Sequence, residues 1–498
     1  MFAEILLTQK VGKSGDTLTY KVPDDLDLRR GLIVEVPLRQ RQVKGVVFSL
    51  HDKTPLYATR PVSRIVENAP HLEQWQLQLM EWIADYYFCP ASRALKLFLP
   101  VPFVKKKKIT EWMPEVQSPY ELKKRHDLTE EQKDVLHQIE KSSKAVALLY
   151  GITGSGKTEI YMHLADRHIH DGKQVLMLIP EISLTPQTVE RFQDHFDHRV
   201  AVIHSQQTQK EKEKAWQAIH KGEAKVVIGS RSAIFAPFKN LGTIILDEEH
   251  DTSYKQDQSP RYNALDVAQK IAEILNIKVL IGSATPSLQS YYRALEGEYD
   301  LCTLTERPGK VKRSLPKAKI VDLREEIKKK NFSIFSEDLQ KKIEEVLKKK
   351  EQVILFLNRR GAASAVICRM CGYVAKCDRC EVPMTYHKKL TLEEGIYAAE
   401  RLVCHHCGKI EKVPTLCPVC KSPAIRYIGL GTQRVEEDLQ KLFPTARILR
   451  ADRDTTQKRG QFKEIYKKFR NREADILVGT QMIAIGMARR ASATRNGQ

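Results

Sequence analysis

No apolar run in this 498-residue chain is long enough to cross a membrane. Runs such as 175–179 (VLMLI) and 353–357 (VILFL) are strand-sized, whereas a span needs about 20 residues. The opening stretch MFAEILLTQK carries Glu4 among its apolar residues and no basic residue ahead of them, so it does not read as a secretory signal. Cysteine is scarce over most of the chain: Cys89 and Cys302 stand alone and read as ordinary half-buried thiols, while the other eight fall between 368 and 420. Without a signal, that clustering argues for metal rather than a disulfide framework. Acidic residues are outnumbered, 62 against 82 Lys plus Arg, for a net charge of +20. An integral membrane protein and a secreted scaffold are thereby excluded. At 42% hydrophobic and 29% charged residues, so is a disordered chain. The charge points to a polyanionic partner, nucleic acid or an anionic membrane face, and the expected compartment is the cytoplasm.

The length suggests about three domains. Residues 1–100 read as a small β-rich domain, with strands at 31–37 and 43–48 joined by a basic turn at Arg39-Gln40-Arg41, then a helical stretch at 71–88. Residues 101–127, with Pro and the run Lys105 to Lys108, read as a basic linker whose charges are chiefly solvated. From 128 to 306 continuous apolar runs (145–150, 174–179, 225–229, 243–246, 278–282) alternate with amphipathic stretches. Strands covered on both faces look like this, so a parallel sheet between helices is expected. A second α/β series spans 307–486, with strands at AKIVD (318–322), 352–357, 446–449 and 474–479, and a cysteine-rich insertion at 366–424. Residues 487–498 form an unpatterned tail, and the second lobe reads as incomplete.

Residues 151–158 (Gly151, Ile152, Thr153, Gly154, Ser155, Gly156, Lys157, Thr158) match G-x4-G-K-[ST] between an apolar strand and a helical stretch. This is the context a phosphate loop requires. Backbone N–H groups would curl around the β-phosphate, Lys157 would reach the β- and γ-phosphates, and the Thr158 hydroxyl would ligate Mg2+. The strand 243–246 runs into Asp247-Glu248-Glu249-His250. An acidic pair at a strand's carboxyl end lies where α/β sheets place ligands. Asp247 would hold the metal's water shell and Glu248 would orient or deprotonate water; standing apart from the phosphate loop, the same string would read as a helix N-terminus. GSATP (282–286) suits a polar loop between lobes or a plain N-cap. Between 252 and 262, Tyr254, Lys255, Arg261 and Tyr262 interleave aromatic and basic side chains that either stack bases or form an ordinary surface loop.

The eight clustered cysteines form four C-x2-C pairs: Cys368/Cys371, Cys377/Cys380, Cys404/Cys407 and Cys417/Cys420. Each pair sets two thiolates on one tight turn, and two turns complete a tetrahedral site, so two structural Zn2+ are expected. Four pairs admit three pairings, of which nesting joins the first with the last. His405 and His406 are the alternative ligands beside one turn.

Taken in order, these motifs resemble the PriA family of bacterial replication-restart helicases, members of helicase superfamily 2. The likeness covers about residues 1–486: GITGSGKTE (151–159), LIPEISLTPQ (178–187), VVIGSRSAIFAPF (226–238), DEEHDTSYKQ (247–256), PRYNALDVA (260–268), GSATPSL (282–288), LFLNRRG (355–361), the cysteine pairs, GLGTQRVEEDL (429–439), DRDTT (452–456) and ILVGTQMIA (476–484). It implies two RecA-like P-loop lobes, a small β-rich N-terminal domain that binds a DNA 3′ end, and a zinc-binding insertion in the second lobe. It also implies ATP-driven 3′-to-5′ unwinding of forked and single-stranded DNA at stalled forks, with primosome and single-strand-binding proteins as partners and no membrane role. Within the family the zinc pairing is nested, the 254–262 loop couples DNA to ATP turnover, and Gln132 lies near the nucleotide base.

The chain departs from the family pattern at several points. Thr19 stands where a carboxylate is usual, Leu265 where Arg is usual and Ile485 where Lys is usual; 101–127 is too short for a winged-helix domain. The arginine-finger motif, worth about 10³–10⁵ in rate, has no counterpart beyond Arg489 and Arg490 in the tail. The expectation is therefore intact nucleotide and zinc sites with impaired turnover. The competing reading is a catalytically weak DNA-binding protein that binds ATP and zinc. An RNA helicase or restriction-type translocase leaves the cysteine block and residues 1–100 unexplained.

Overall fold

The computed structural model describes residues 1–8, 17–66, 71–99, 127–180, 186–205, 207–308, 317–331, 333–357, 364–387, 401–423, 425–428, 432–452, 455, 461–480 and 483. The expected linker up to residue 126, with Lys105 to Lys108, and Ile485, Arg489, Arg490 and the tail lie outside them, as do parts of the motifs at 178–187, 355–361, 429–439 and 452–456. The chain divides into two compact units, Met1–Arg313 and Ser314–Gln498.

The first unit opens with five antiparallel strands, β1 (Phe2–Leu7), β2 (Thr17–Lys21), β3 (Ile33–Leu38), β4 (Arg41–His51) and β5 (Arg64–Ile65), ordered β2-β1-β4-β3-β5. The expected hairpin is β3–β4, with Leu38 opposite Arg41 and Arg39 at φ 54° in the tight turn. Alternation along the strands feeds two cores, as a side-chain period of two dictates. Ala3, Ile5, Leu7, Val34, Val36 and Val47 pack on one face. Leu6, Ile33 and Val46 pack on the other, against helices α1 (Gln74–Tyr86) and α2 (Ala91–Phe98). Those helices carry the same core into the next layer: the Phe98 and Phe235 rings meet edge to face at 5.2 Å.

That layer contains α3 (Glu130–Lys141), β6 (Val146–Gly151), α4 (Lys157–His170), β7 (Gln174–Leu178), α5 (Pro186–Phe196), β8 (Val200–Ile203), α6 (Gln209–His220), β9 (Val226–Gly229), β10 (Leu241–Asp247), α7 (Ala264–Leu275), β11 (Lys278–Ser283), α8 (Leu288–Leu295) and β12 (Asp300–Leu304). All seven strands are parallel, in the order β12-β6-β11-β10-β7-β9-β8. Both faces are covered, which is why the strands read as unbroken apolar runs. Leu148, Leu176 and Ile244 face α7 residues such as Val267 and Ile271. Their neighbours Leu149, Val175 and Ile245 face Val135 of α3 and Ile160 of α4. Because the strands are parallel, Gly151, Asp247 and Ser283 end on one edge of the sheet. Cys302 is fully buried rather than half-buried, and desolvation pushes its thiol up to about 12.

In the second unit, α9 (Leu323–Lys328) and α10 (Glu337–Lys348) precede β13 (Val353–Phe356). The strand expected at AKIVD is absent: Asp322 instead caps α9, its carboxylate accepting the Arg324 N–H at 2.9 Å. A short acid offering the backbone this bond favours a helix start over a ladder. Five short antiparallel strands follow, β14 (Ser364–Cys368), β15 (Thr385–His387), β16 (Arg401–Val403), β17 (Ile410–Lys412) and β18 (Ile425–Ile428), ordered β17-β16-β15-β14-β18. Then α11 (Thr432–Leu442), β19 (Ile448–Ala451), α12 (Gln461–Arg470) and β20 (Ile476–Gly479) resume the α/β series, with a parallel sheet β13-β20-β19. The cysteine-rich ribbon is thus inserted between the first strand of that sheet and its continuation. Among the described residues, no helix is long and apolar enough to cross a membrane.

Candidate nucleotide site and paired cysteine centres

The loop after β6 owes its shape to Gly154 and Gly156, both at φ +88°, a region costly to any residue with a Cβ. Gly156 also caps α4, and a Cβ there would stand 2.3 Å from Gln132 Nε2. Lys157 begins the helix and is buried, its ammonium donating to the Gly151 carbonyl at 2.7 Å. Ser155 Oγ is buried and has no hydrogen-bond partner among the described residues. A cradle of turned-in backbone at a helix N-terminus, with a buried lysine and an unmatched hydroxyl, fits a bound phosphate chain.

Gln132 lies against this loop, its Nε2 donating to the Ser155 carbonyl at 2.8 Å. Its Oε1 accepts the Thr129 N–H at 3.0 Å, closing the capping box that starts α3. Its neighbour Glu131 accepts Thr305 N–H (2.7 Å), Thr305 Oγ1–H (2.8 Å) and Glu306 N–H (3.3 Å), strapping the chain after β12 to α3. Burial opposes the Glu131 charge, but those donors hold its carboxyl below the usual range.

Asp247 ends β10. Its Oδ1 accepts the Tyr161 hydroxyl at 3.0 Å, and its carbonyl accepts the Tyr254 hydroxyl at 2.7 Å. Tyr161 stands one helical turn after Lys157, so α4 carries both the phosphate-loop lysine and the clamp on the acid. Burial first, then the Asp247 charge, keeps the Tyr161 phenol well above its ordinary pKa and so a donor. Gly282 makes room for it: a Cβ there would meet Tyr161 Oη at 1.7 Å. Glu248 follows at φ 50°, left-handed for a residue with a side chain. Glu249 and His250 turn the other way, into the GSATPS segment. The buried Glu249 carboxylate accepts Ser287 N–H (2.6 Å), Ser287 Oγ–H (3.2 Å) and Ser290 Oγ–H (3.0 Å). His250 Nδ1 is hydrogen-bonded to Ser283 Oγ at 2.8 Å.

The interleaved loop resolves differently from a base-stacking platform. Tyr254 and Tyr262 are buried, Tyr254 bridging the Leu178 and Asp247 carbonyls and Tyr262 packing edge to face on Phe235 at 4.9 Å. Lys255 lies 5.4 Å from the centre of the Tyr87 ring. Tyr161, Glu249 and the Glu131 strap were missed in the sequence, where their partners Asp247, Ser287, Ser290 and Thr305 lie too far along the chain for any local pattern to connect them.

In the ribbon the cysteines gather into two groups, Cys368/Cys371/Cys417/Cys420 and Cys377/Cys380/Cys404/Cys407, each with its sulfurs within 4.8 Å of one another. This is the nested arrangement. The pairs Cys368–Cys420, Cys371–Cys417 and Cys377–Cys407 stand 3.6 Å apart. A tetrahedron with Zn–S near 2.3 Å has edges of about 3.8 Å, so the groups fit zinc. Every C-x2-C turn is built alike: the residue after the second cysteine, Gly372, Glu381, Gly408 or Lys421, is left-handed and donates its N–H to the first cysteine's carbonyl. The Cys407 N–H leads the causes that bring the Cys404 thiol down to about 7, toward the thiolate that zinc takes. The histidines complete neither group: His405 pairs with His387 (3.1 Å), and His406 Nδ1 reaches Cys380 Sγ at 3.3 Å.

Residues 5–100 match the family described as 3′DNA-binding domain (3′BD), 129–294 match DEAD/DEAH box helicase, and 377–392 match the PriA DNA helicase Cys-rich region (CRR) domain. Replication restart protein PriA of Chlamydia pneumoniae is 34% identical over 98% of this chain and 74% of that protein. The chain belongs to the PriA family. PriA of Bacillus subtilis (strain 168) is 48% identical over 72% of this chain. The match spans 44% of the length of that PriA and 41% of the Synechocystis one, under half of each. Among solved structures, RecG bound to a three-way DNA junction is similar at TM-score 0.38 and 19% identity, over 72% of this chain and 36% of that one. The helicase MrfA bound to DNA stands at 0.40 and 14%, over 72% and 43%. The PriA ribbon in this chain is its zinc-binding Cys-rich region, and its first unit contains the helicase and 3′-DNA-binding domains.

Proposed function

We propose that this chain is an ATP-dependent DNA helicase that recognises stalled or abandoned replication forks by a 3′ end, unwinds 3′ to 5′ and initiates primosome assembly. The observation that carries this is the Lys157–Tyr161–Asp247 arrangement: one helix holds the phosphate-loop lysine and clamps the acid at the end of β10. It lies in the same compact unit as the 3′-DNA-binding domain.

In this reading ATP seats its β- and γ-phosphates on the N–H groups of 154–157, and Lys157 leaves the Gly151 carbonyl to meet them. The Ser155 hydroxyl gains a partner at the same time. Thr158 and Asp247 would hold Mg2+, which neutralises charge on the phosphates. Glu248, kept in a left-handed conformation that costs about 1–2 kcal/mol, orients or deprotonates the attacking water. Gln132 secures the loop beside the nucleotide. Glu249 and His250 tie the acidic string to 283–290, so that movement at the phosphates reaches that segment. Two Zn2+ occupy the ribbon. Forked and single-stranded DNA, primosome proteins and single-strand-binding protein are the partners, and the cytoplasm is the place of action.

The test is ATP hydrolysis by the purified chain with and without forked DNA bearing a 3′ end, beside Lys157→Ala. Fork-stimulated turnover that the substitution abolishes is expected. Turnover equal to that of the substituted chain contradicts the reading.

A further inference from the structure

The chain does not leave the first unit directly after β12. Three donors on Thr305 and Glu306 bind the Glu131 carboxylate, which fixes the next residues over the phosphate loop. Arg307 then donates from Nε to the Thr153 carbonyl at 2.9 Å. Its Cγ, Cδ and Nε lie 3.9, 3.7 and 3.5 Å from the point where a Cβ on Gly154 would stand, ordinary contact distances along its whole stem. Pro308 Cγ lies 3.6 Å from the equivalent point on Gly156. A delocalised cation therefore rests on the loop whose N–H groups would face the phosphates. Nothing in the family motifs quoted above includes this residue.

A guanidinium carries five N–H donors in a rigid fork, and Nε takes one of them to Thr153. The bond at Nε fixes the head without engaging the two terminal nitrogens' geometry for oxyanions. The contact is already made within the unit, so the charge stands ready before nucleotide arrives and adds to binding more than to a rate.

We propose that Arg307 is an affinity-determining residue for the nucleotide: its guanidinium, held on the Thr153 carbonyl by the Glu131 strap, pairs with the polyphosphate seated on the loop. The inference rests on the nucleotide reading given above. It selects ligands by the number of phosphates, because each added phosphate brings more negative charge toward a fixed cation.

The test is equilibrium binding of ATP, ADP and AMP to the purified chain and to the Arg307→Ala, Arg307→Lys and Lys157→Ala variants, with thermal melting of each. Arg307→Ala should raise the ATP Kd about tenfold, raise the ADP Kd less and leave AMP unchanged, and Arg307→Lys should restore part of the loss. Melting should stay within a degree or two of the parent. Arg307→Ala binding ATP as the parent does, while Lys157→Ala loses it, overturns the inference and leaves the nucleotide reading standing. Equal losses for all three nucleotides also overturn it, because the residue then shapes the loop rather than reading charge. A parent chain that binds ATP no better than Lys157→Ala overturns the nucleotide reading itself.

Discussion

The phosphate loop stands at the edge of a sheet with apolar side chains packed on both faces. The cysteine ribbon has a far smaller core: Val366, Ala375, Met384, Leu402, Ile425 and the thiols themselves. In the first, packing and hydrogen bonds position the chemistry: Gly282 admits Tyr161, Tyr161 holds Asp247, and Glu131 straps Thr305. In the second, five strands of three to five residues and four identical turns converge on two points where like-charged thiolates meet. A core that small supplies little stability without an ion. One site is preformed by the fold, and the other is part of what makes its fold.

The largest effect expected from that contrast is in the ribbon. Structural zinc contributes about 10–16 kcal/mol of binding energy in small domains, and this is folding energy. Elemental analysis should find two zinc ions per chain. Because the two groups share no cysteine, Cys404→Ala should lose one of them and keep the other. A single zinc in the parent chain would break the nested assignment.

Removing the buried ammonium with Lys157→Ala should lower the ATP turnover rate by about 10²–10³, the scale of a lost charge-stabilising donor. Zinc content should stay at two.

His168, on α4, is half-buried, with its Nδ1 buried and unpartnered among the described residues. Desolvation first, then the Lys173 charge, lowers its pKa to about 4 from 6.5. The unfolded chain thus takes up a proton between pH 6.5 and 4 that the folded chain does not. Stability from this group is complete above pH 6.5 and is lost as pH falls to about 4, by up to about 3 kcal/mol. Urea unfolding of the first unit followed against pH should show the loss, and His168→Gln should flatten it.

Gly282→Ala drives a methyl into Tyr161 Oη and should cost about 1–3 kcal/mol, with a lower melting temperature and weaker fork-stimulated ATP turnover. An unchanged variant would mean that Tyr161 is not held where Asp247 needs it.

What the sequence made legible follows the same division. The phosphate loop, the acidic string and the cysteine pairs are runs of neighbours, and their chemistry is written in local spacing. The nested pairing came from the family likeness, since spacing admits three pairings, and the sulfur positions agree with it. The partners that hold these groups are far apart in the chain: Tyr161 with Asp247 and Gly282, Glu249 with Ser287 and Ser290, Glu131 with Thr305. No period or motif connects them. Tyr254 and Tyr262 show the converse, for a pattern that resembles a nucleic-acid surface turns its rings into the core. AKIVD shows how one capping side chain overrides an apolar pattern too short to decide.

The most direct measurement is ATP binding before and after zinc is stripped by a chelator, with zinc content determined in both samples. The account predicts that the stripped chain loses both ions and the ribbon's structure and still binds ATP within about twofold of the parent. A loss of ATP binding in step with zinc would contradict it, because the nucleotide pocket would then not be the work of the first unit's packing.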